Sequence, residues 1–566
     1  MKNFGSLSLM LTLFLTAFAG MAQAITIDGI YYSVNSENSV TVMVDSDYDP
    51  ETKVTTYHYY TGQLNIPATI TFEGKTYTVN KIFIYGCKDL TGVSLPNTIE
   101  EIYEAGFYGC EKLTTIALPS SLKKIGRAAF SYSGLKEVTI PSSVEIIEQQ
   151  AFSALSTLEK VNIANLAAWC GVDVADGAFD SNENLRFYVD GKQLIDLVIP
   201  NEVTTISPNV FNGFKQLQTV TIHEKVDSIG DNAFLGCSGL TRVNISDLKA
   251  WCQIRFGVTY LHPLGMLTGV ANPLYYAQHL YINGNEPTEL TIPDGTERIG
   301  NGAFAQWKTP VKIHLPQSLR KIDRFAFQGC TSINKVYVPS LRSYCDIDFG
   351  SIESNPLTPN KNQFTWLLYD GNTGEPLMDL TIPDGVTEIK PFAFAGMLLQ
   401  EVVNIPASVR KIGKQAFYDN YLQFKKLNIF GHVAEIDENA FGNCTALASP
   451  ETSTINVYDA SPAAISDKAF YNTRGGAFGP YPSDVIYSGP LHVPVGTKAT
   501  YEQTAGWSQF KTIVEDEAIS SSINTQKATS RQIKGIYTLD GRPAQPQRKG
   551  MLIIKQANGE TKKVIR

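Results

Sequence analysis

One pattern, L-x-x-V-x-I-P-x-x-V-x-x-I-x-x-x-A-F-x-x-C, recurs along most of the chain and limits it to one kind of architecture. Residues 90–110 (LTGVSLPNTIEEIYEAGFYGC), 113–130, 135–152 and 217–237 follow it, and residues 409–420 (VRKIGKQAFYDN) carry its second half. The segments around Pro200, Pro293, Pro316, Pro383 and Phe430 do the same. The phenylalanines set the period: Phe107 to Phe130 is 23 residues, Phe130 to Phe152 is 22, and Phe211 to Phe234, Phe304 to Phe327 and Phe394 to Phe417 are each 23. A chain of 566 residues would otherwise divide into about three or four globular domains. Self-similarity at this period replaces that division with a stack of short coils.

A period of 22–24 residues falls in the range of leucine-rich repeats and is too short for ankyrin or tetratricopeptide units. In each unit the alternating V-x-I predicts a short strand with two apolar side chains inward, and the proline after it ends the strand because it has no N–H for a ladder. The return leg V-x-x-I-x-x-x-A-F brings the chain back with its own apolar residues inside. Each coil then has an apolar interior that only its neighbours can cover. The aligned phenylalanines should form an internal column, each fully buried ring contributing roughly 1.5–3 kcal/mol.

Eight cysteines in a chain with an export signal would ordinarily suggest disulfides. Their spacing says otherwise. Cys87, Cys110, Cys237, Cys330 and Cys444 share one repeat position, three residues after the Phe (Ile84 in the first coil), and Cys170, Cys252 and Cys345 share another. Residues in register stack along a column, so small buried thiols are expected. The second set belongs to enlarged units, residues 162–174, 244–256 and 338–349, each with an aromatic–Cys pair. The last two continue to Asn272-Pro273-Leu274 and Asn355-Pro356-Leu357 and then to a hairpin.

Residues 1–24 read as a signal peptide, with Lys2, an apolar stretch from Leu7 to Phe18 and a small-x-small site at Ala22-Gln23-Ala24. No later apolar run reaches the roughly 20 residues of a membrane span, so a secreted or cell-surface location is expected. Residues 25–80, with a hairpin signal at Glu73-Gly74-Lys75, predict an N-terminal β cap. The solenoid occupies 81–470, a C-terminal cap 471–515, a Ser/Thr/Asn-rich linker 516–534 and a small basic β tail 535–566. The net charge of −8 conceals +7 in residues 531–566 and −16 in residues 25–530. An acidic body of this kind excludes nucleic acid as an expected partner.

Taken together, these residues resemble the BspA-like leucine-rich-repeat proteins, exported surface proteins of Bacteroidetes-type and other host-associated microbes. The resemblance rests on I-P-x-x-V-x-x-I-G-x-x-A-F-x-x-C over about residues 60–515. It implies a right-handed β-rich solenoid of 22–24-residue repeats with larger inserted units, acting in adhesion to host extracellular-matrix proteins or to other cells. The tail resembles C-terminal sorting segments of secreted Bacteroidetes proteins in its G-I-Y-x-L-D-G-R start, its K-G-x-x-I-I-K core and its basic end. His223 and Phe430 depart from the repeat proline, and no residue role carries over.

No catalytic, cofactor or metal signature appears. The seven histidines are scattered, and no G-x-S-x-G, Walker or dinucleotide fingerprint is present. Asp45-x-Asp47-x-Asp49 lacks the glycine and the glutamate of a calcium loop. A binding protein without enzymatic activity is therefore expected. Its candidate face is the outward row of the strands: the middle residues of V-x-I, among them Asn244, Thr291, His314, Tyr337, Thr381 and Asn404, and the row before them, with Arg242, Lys312 and Lys335. The alternative partner is glycan, captured by a binding accessory protein; Trp169, Trp251 and Trp307 sit in repeat positions that speak against it.

Overall fold

The computed structural model describes residues 24–36, 38–179, 184–260, 267–358, 367–377, 380–397, 401–420, 424–449, 451–471 and 485–521, with three tail strands, 533–538, 551–556 and 561–565. Residues 1–23 of the expected signal peptide, most of the expected linker and the expected Asn558-Gly559 turn lie outside the described residues. The chain is a leucine-rich-repeat solenoid of two compact units, residues 1–287 with 300–309, and residues 288–299 with 310–566.

A regular coil has three legs, and within each sheet a leg is hydrogen-bonded to its counterpart in the neighbouring coil. The first is the V-x-I strand. In the first unit Glu137–Ile140, Lys160–Ile163 and Arg186–Val189 run parallel, with Thr139, Asn162 and Tyr188 in register. Burial alternates along them, so Val161 and Ile163 point inward while Lys160 and Asn162 stay partly exposed. The second leg is a two-residue strand after the proline turn. Lys75–Phe83, Glu101–Ile102, Lys124–Ile125, Ile146–Ile147 and Asp173–Val174 form one parallel sheet of this kind. Its first strand also pairs with Ser39–Met43, so the N-terminal strands extend the coil's own sheet and cover its open end. Glu73 and Gly74 make the expected hairpin turn, both at positive φ.

The third leg contains the Phe. Two backbone positions flanking it adopt positive φ in coil after coil: Ala105, Ala128, Asn209, Asn232 and Gln415 two residues before, and Gly109, Tyr132, Gly213, Gly236 and Asp419 two after. This conformation turns alternate N–H groups toward the following coil. Ala105, Phe107 and Gly109 donate to Arg127, Ala129 and Ser131 at 2.8, 2.6 and 2.9 Å. Few buried backbone groups can be left unpaired, so the tight turn satisfies its polar atoms by ladder bonds outside any regular strand.

The phenylalanine column is present. Phe107, Phe130, Phe152 and Phe179 stack face to face at 5.0–5.4 Å, and Phe394, Phe417, Phe441 and Phe470 do the same in the second unit. All eight cysteines are free and buried. Cys110, Cys237 and Cys444 lie 3.3, 3.1 and 3.0 Å from the carbonyls of Ile84, Phe211 and Phe417 in the preceding coil. Where Asn420 takes the cysteine position it makes the same link, Nδ2 donating to Phe394 O at 2.8 Å.

In the enlarged units a short helix replaces the proline turn: Leu166–Cys170, Leu248–Gln253 and Leu341–Cys345, capped by Asn165, Asp247 and Ser340. The aromatic of each pair is buried and clasps the next coil, Trp169 Nε1 to Val210 O, Trp251 Nε1 to Ala303 O and Tyr344 Oη to Ala393 O. Asn272 and Asn355 donate to those same Ala303 and Ala393 carbonyls, while their Oδ1 accepts from Leu274 and Leu357 N–H. The N-P-L motif is therefore the closure of an enlarged coil.

At the far end, strands Pro490–Pro494 and Thr512–Asp516 continue the last face sheet. Trp507 and Phe510 pack against Phe470, closing the column. The tail strands Ile533–Thr538, Met551–Gln556 and Thr561–Ile565 form an antiparallel meander of their own.

Candidate binding face

The outward rows proposed from sequence do not lie on one uninterrupted sheet. From residue 137 onward the face strands form four sheets: Glu137–Ile140 to Lys192–Gln193, Asp196–Val198 to Leu280–Ile282, Glu289–Thr291 to Leu367–Asp370, and Leu380–Thr381 to Thr512–Asp516. The physical reason in the first case is a hairpin, in which Arg186–Val189 pairs antiparallel with its own return strand. Arg242 and Asn244 therefore lie on the second sheet. Thr291, Lys312, His314, Lys335 and Tyr337 share the third, and Thr381 and Asn404 the fourth.

The first three sheets end in the same arrangement. Their outward rows read Thr139–Asn162–Tyr188, Thr221–Asn244–Tyr281 and His314–Tyr337–Tyr369. In each, a cation from the penultimate strand lies over the terminal tyrosine: Lys160 over Tyr188 at 5.2 Å, Arg242 over Tyr281 at 3.8 Å, Lys335 over Tyr369 at 5.0 Å. Such contacts are worth about 0.5–1 kcal/mol at exposed sites. Arg242 Nε also donates to Asn244 Oδ1 at 2.6 Å, and Asn244 Nδ2 to Thr221 Oγ1 at 3.3 Å. Lys160 is 3.5 Å from Glu137, whereas among the described residues neither Arg242 nor Lys335 has a carboxylate partner.

On the third sheet, His314 and Tyr337 stack at 4.4 Å with planes 4° apart, and Tyr369 continues the stack at 5.0 Å. Glu289 accepts from Lys312 at 3.1 Å and meets His314 Nε2 at 2.6 Å. Those two hydrogen bonds hold its carboxyl below the ordinary glutamate value. Thr291 is exposed beside His314, with no role in this network.

Tyr188, Tyr281 and Tyr369 were not among the residues expected from the repeat alone, because they fall on units where the V-x-I pattern weakens. A signal exists nevertheless: each precedes a hairpin, as Tyr188-Val189-Asp190-Gly191, Tyr281-Ile282-Asn283-Gly284 and Tyr369-Asp370-Gly371.

The fourth sheet is different. Asn404 donates to Thr381 Oγ1 at 3.0 Å, Asn428 to Asn404 Oδ1 at 2.7 Å, and Asn456 to Asn428 Oδ1 at 2.8 Å. This amide ladder ties each amide to its neighbour through one N–H and one carbonyl lone pair.

Elsewhere, a cleft lined by Phe179, Leu185, Phe187, Asn209 and Asn212 encloses about 80 Å³, well short of the roughly 300–1,000 Å³ of a small-molecule site. Among the described residues no cluster of His, Cys, Asp or Glu could hold a metal ion, and no helix is long and apolar enough to cross a membrane.

Residues 53–186, 183–262, 278–355 and 373–478 match the BspA type leucine rich repeat region, and the chain belongs to that family. Among solved structures, a leucine-rich repeat protein from Bacteroides ovatus is 22% identical, covering 72% of this chain and 94% of its own, with a TM-score of 0.37. The pneumococcal vaccine antigen PcpA is 16% identical over 87% of this chain and 98% of its own, TM-score 0.31. A leucine rich cell surface protein from Faecalibacterium prausnitzii is 20% identical over 59% and 99%, TM-score 0.24. No curated protein matches the chain in sequence.

Proposed function

We propose that the chain is an exported, non-enzymatic binding or adhesion protein, without a cofactor, that offers its outward sheet rows to a host extracellular-matrix protein or another cell-surface protein. The observation that carries this reading is the cation, tyrosine and polar row repeated at the ends of three sheets. Tyr and Arg dominate interface hot spots, and side chains already stacked in place lose less entropy on binding. Arg242, held flat on Tyr281, and Lys335, over Tyr369, are cations available to a partner's carboxylates. Membership of a repeat family with no catalytic signature and the leader at residues 1–24 favour the same reading. Trp169, Trp251 and Trp307 are buried, so among the described residues this face shows no tryptophan platform of the kind a glycan accessory would use.

The test is saturable binding of the chain to immobilised fibronectin and fibrinogen at physiological salt. The combined variant Arg242→Ala, Lys335→Ala, Tyr337→Ala should bind at least about 10-fold more weakly, roughly 1.4 kcal/mol. Undiminished binding by a variant that melts like the parent would place the interface elsewhere.

A further inference from the structure

Two tyrosines stand out from the rest of the aromatic inventory. Tyr59 and Tyr132 are 44% and 47% exposed; both belong to the first unit, Tyr59 between the N-terminal strands Val54–His58 and Gly62–Asn65 and Tyr132 on the Phe leg of an early coil. Tyr59 lies across Gly86, so closely that a Cβ there would sit 2.8 Å from the ring. Gly86 N–H donates to Tyr108 O at 2.6 Å and Gly109 N–H to Ser131 O at 2.9 Å. The backbones of residues 86, 109 and 132 therefore run side by side in successive coils. Tyr132 leans on Tyr108 with ring centroids 5.2 Å apart. Tyr59 thus stands over Gly86 and Tyr132 rises two coils on, leaving a shallow trough with Gly109 and Tyr108 between them. Two coil spacings make it on the order of 10 Å wide.

Tyr132 is also backbone-strained. Its φ is 59°, at the repeat position where Gly86, Gly109, Gly213, Gly236, Gly329 and Gly396 stand in other coils. A bulky residue rarely adopts that conformation, and here nearly half of the side chain remains in water. Ala154, Gln306, Asp419 and Asn443 adopt the same backbone at this position of other coils, so the ladder sets the turn; what distinguishes Tyr132 is the ring it presents to solvent.

The rim fixes the chemistry of the ligand. Lys88 pairs with Glu111 at 2.8 Å and Lys112 with Asp89 at 2.6 Å, from the residues that follow Gly86 and Gly109. These charges cancel, leaving polar groups suited to hydroxyls and none in excess for an anion or a cation. Flat aromatic faces beside neutralised hydrogen-bonding groups suit pyranose rings, which are apolar on their faces and hydroxylated at their edges.

We propose that this trough is a carbohydrate site, separate from the outward sheet face, which takes about two residues of a neutral oligosaccharide between Tyr59 and Tyr132. The experiment is titration of the full chain with cellohexaose, maltohexaose, xylohexaose and mannohexaose by calorimetry, at low and at high salt. At least one should bind saturably, with an affinity unchanged by salt. Tyr132→Gly, which suits the backbone at that position, and Tyr59→Ala should each weaken that binding at least about 10-fold. The Arg242→Ala, Lys335→Ala, Tyr337→Ala variant should leave it unchanged. The site is overturned if no hexaose binds at millimolar concentration, or if Tyr132→Gly and Tyr59→Ala bind as the parent does.

Discussion

The third and fourth face sheets use the same repeat positions for opposite ends. On the third, the outward row is His314, Tyr337 and Tyr369, with Lys335 laid over the last ring. On the fourth it is Thr381, Asn404, Asn428 and Asn456, each amide bonded to its neighbour. The inward residues are interchangeable: Val336 and Val338 on one, Val403 and Ile405 on the other, all buried. A coil's core thus fixes the strand but leaves the outer residue to chance or selection. An amide ladder ties that position to its neighbours along the row; a stacked aromatic row leaves edges and charges open.

If the two sheets differ only on their outer surface, the columns beneath them should contribute alike. Phe327→Ala and Phe417→Ala, both fully buried, should each cost about 3–5 kcal/mol in urea denaturation. A large loss in one and a small loss in the other would break the comparison at its base.

The outer rows should then part company. Asn428→Ala leaves Asn404 Oδ1 and Asn456 Nδ2 without their partners on a largely buried row, and should cost about 1–3 kcal/mol. Lys335→Ala removes an exposed cation–ring contact and should cost about 0.5–1 kcal/mol. Equal losses in matched denaturation curves would remove the distinction between a closed and an open row.

The smallest effect is in acid. Glu289 is held below its ordinary value by Lys312 and His314, so its contribution is present above the ordinary glutamate value and fades as pH falls through the folded-state value. Solvent screens the network, and the contribution should stay under about 0.5 kcal/mol. Glu289→Gln should therefore lower the denaturation midpoint at pH 6 and by less at pH 3. The Asn ladder holds no titratable group, so Asn428→Ala should cost the same at both values.

The period, the Phe column and the cysteine column were legible because a strict repeat turns sequence spacing into spatial register. The ends of the sheets were less so. Whether Arg186–Val189 meets another coil or its own return strand depends on a hairpin that interrupts the repeat, so Tyr188, Tyr281 and Tyr369 escaped a reading based on V-x-I alone. The positive-φ positions were hidden for a different reason. Ala105, Gln150, Asn209 and Phe325 all adopt that backbone, at a cost of about 1–2 kcal/mol for a non-glycine residue, because ladder bonds from the neighbouring coils over-determine the turn. No residue type marks a conformation that the stack itself enforces. The Asn ladder could be read as an alignment of amides, but only the side-chain orientations reveal that they answer one another.

The buried thiols carry a consequence for oxidising and reducing surroundings alike. Burial pushes Cys87 up to about 11 and Cys170 and Cys345 up to about 12, so the nucleophilic thiolate is scarce even in alkaline surroundings. A coil held by S–H···O=C contacts can open and close again without an electron changing hands. With all eight thiols free, the wound stack offers a reductant no disulfide to cut.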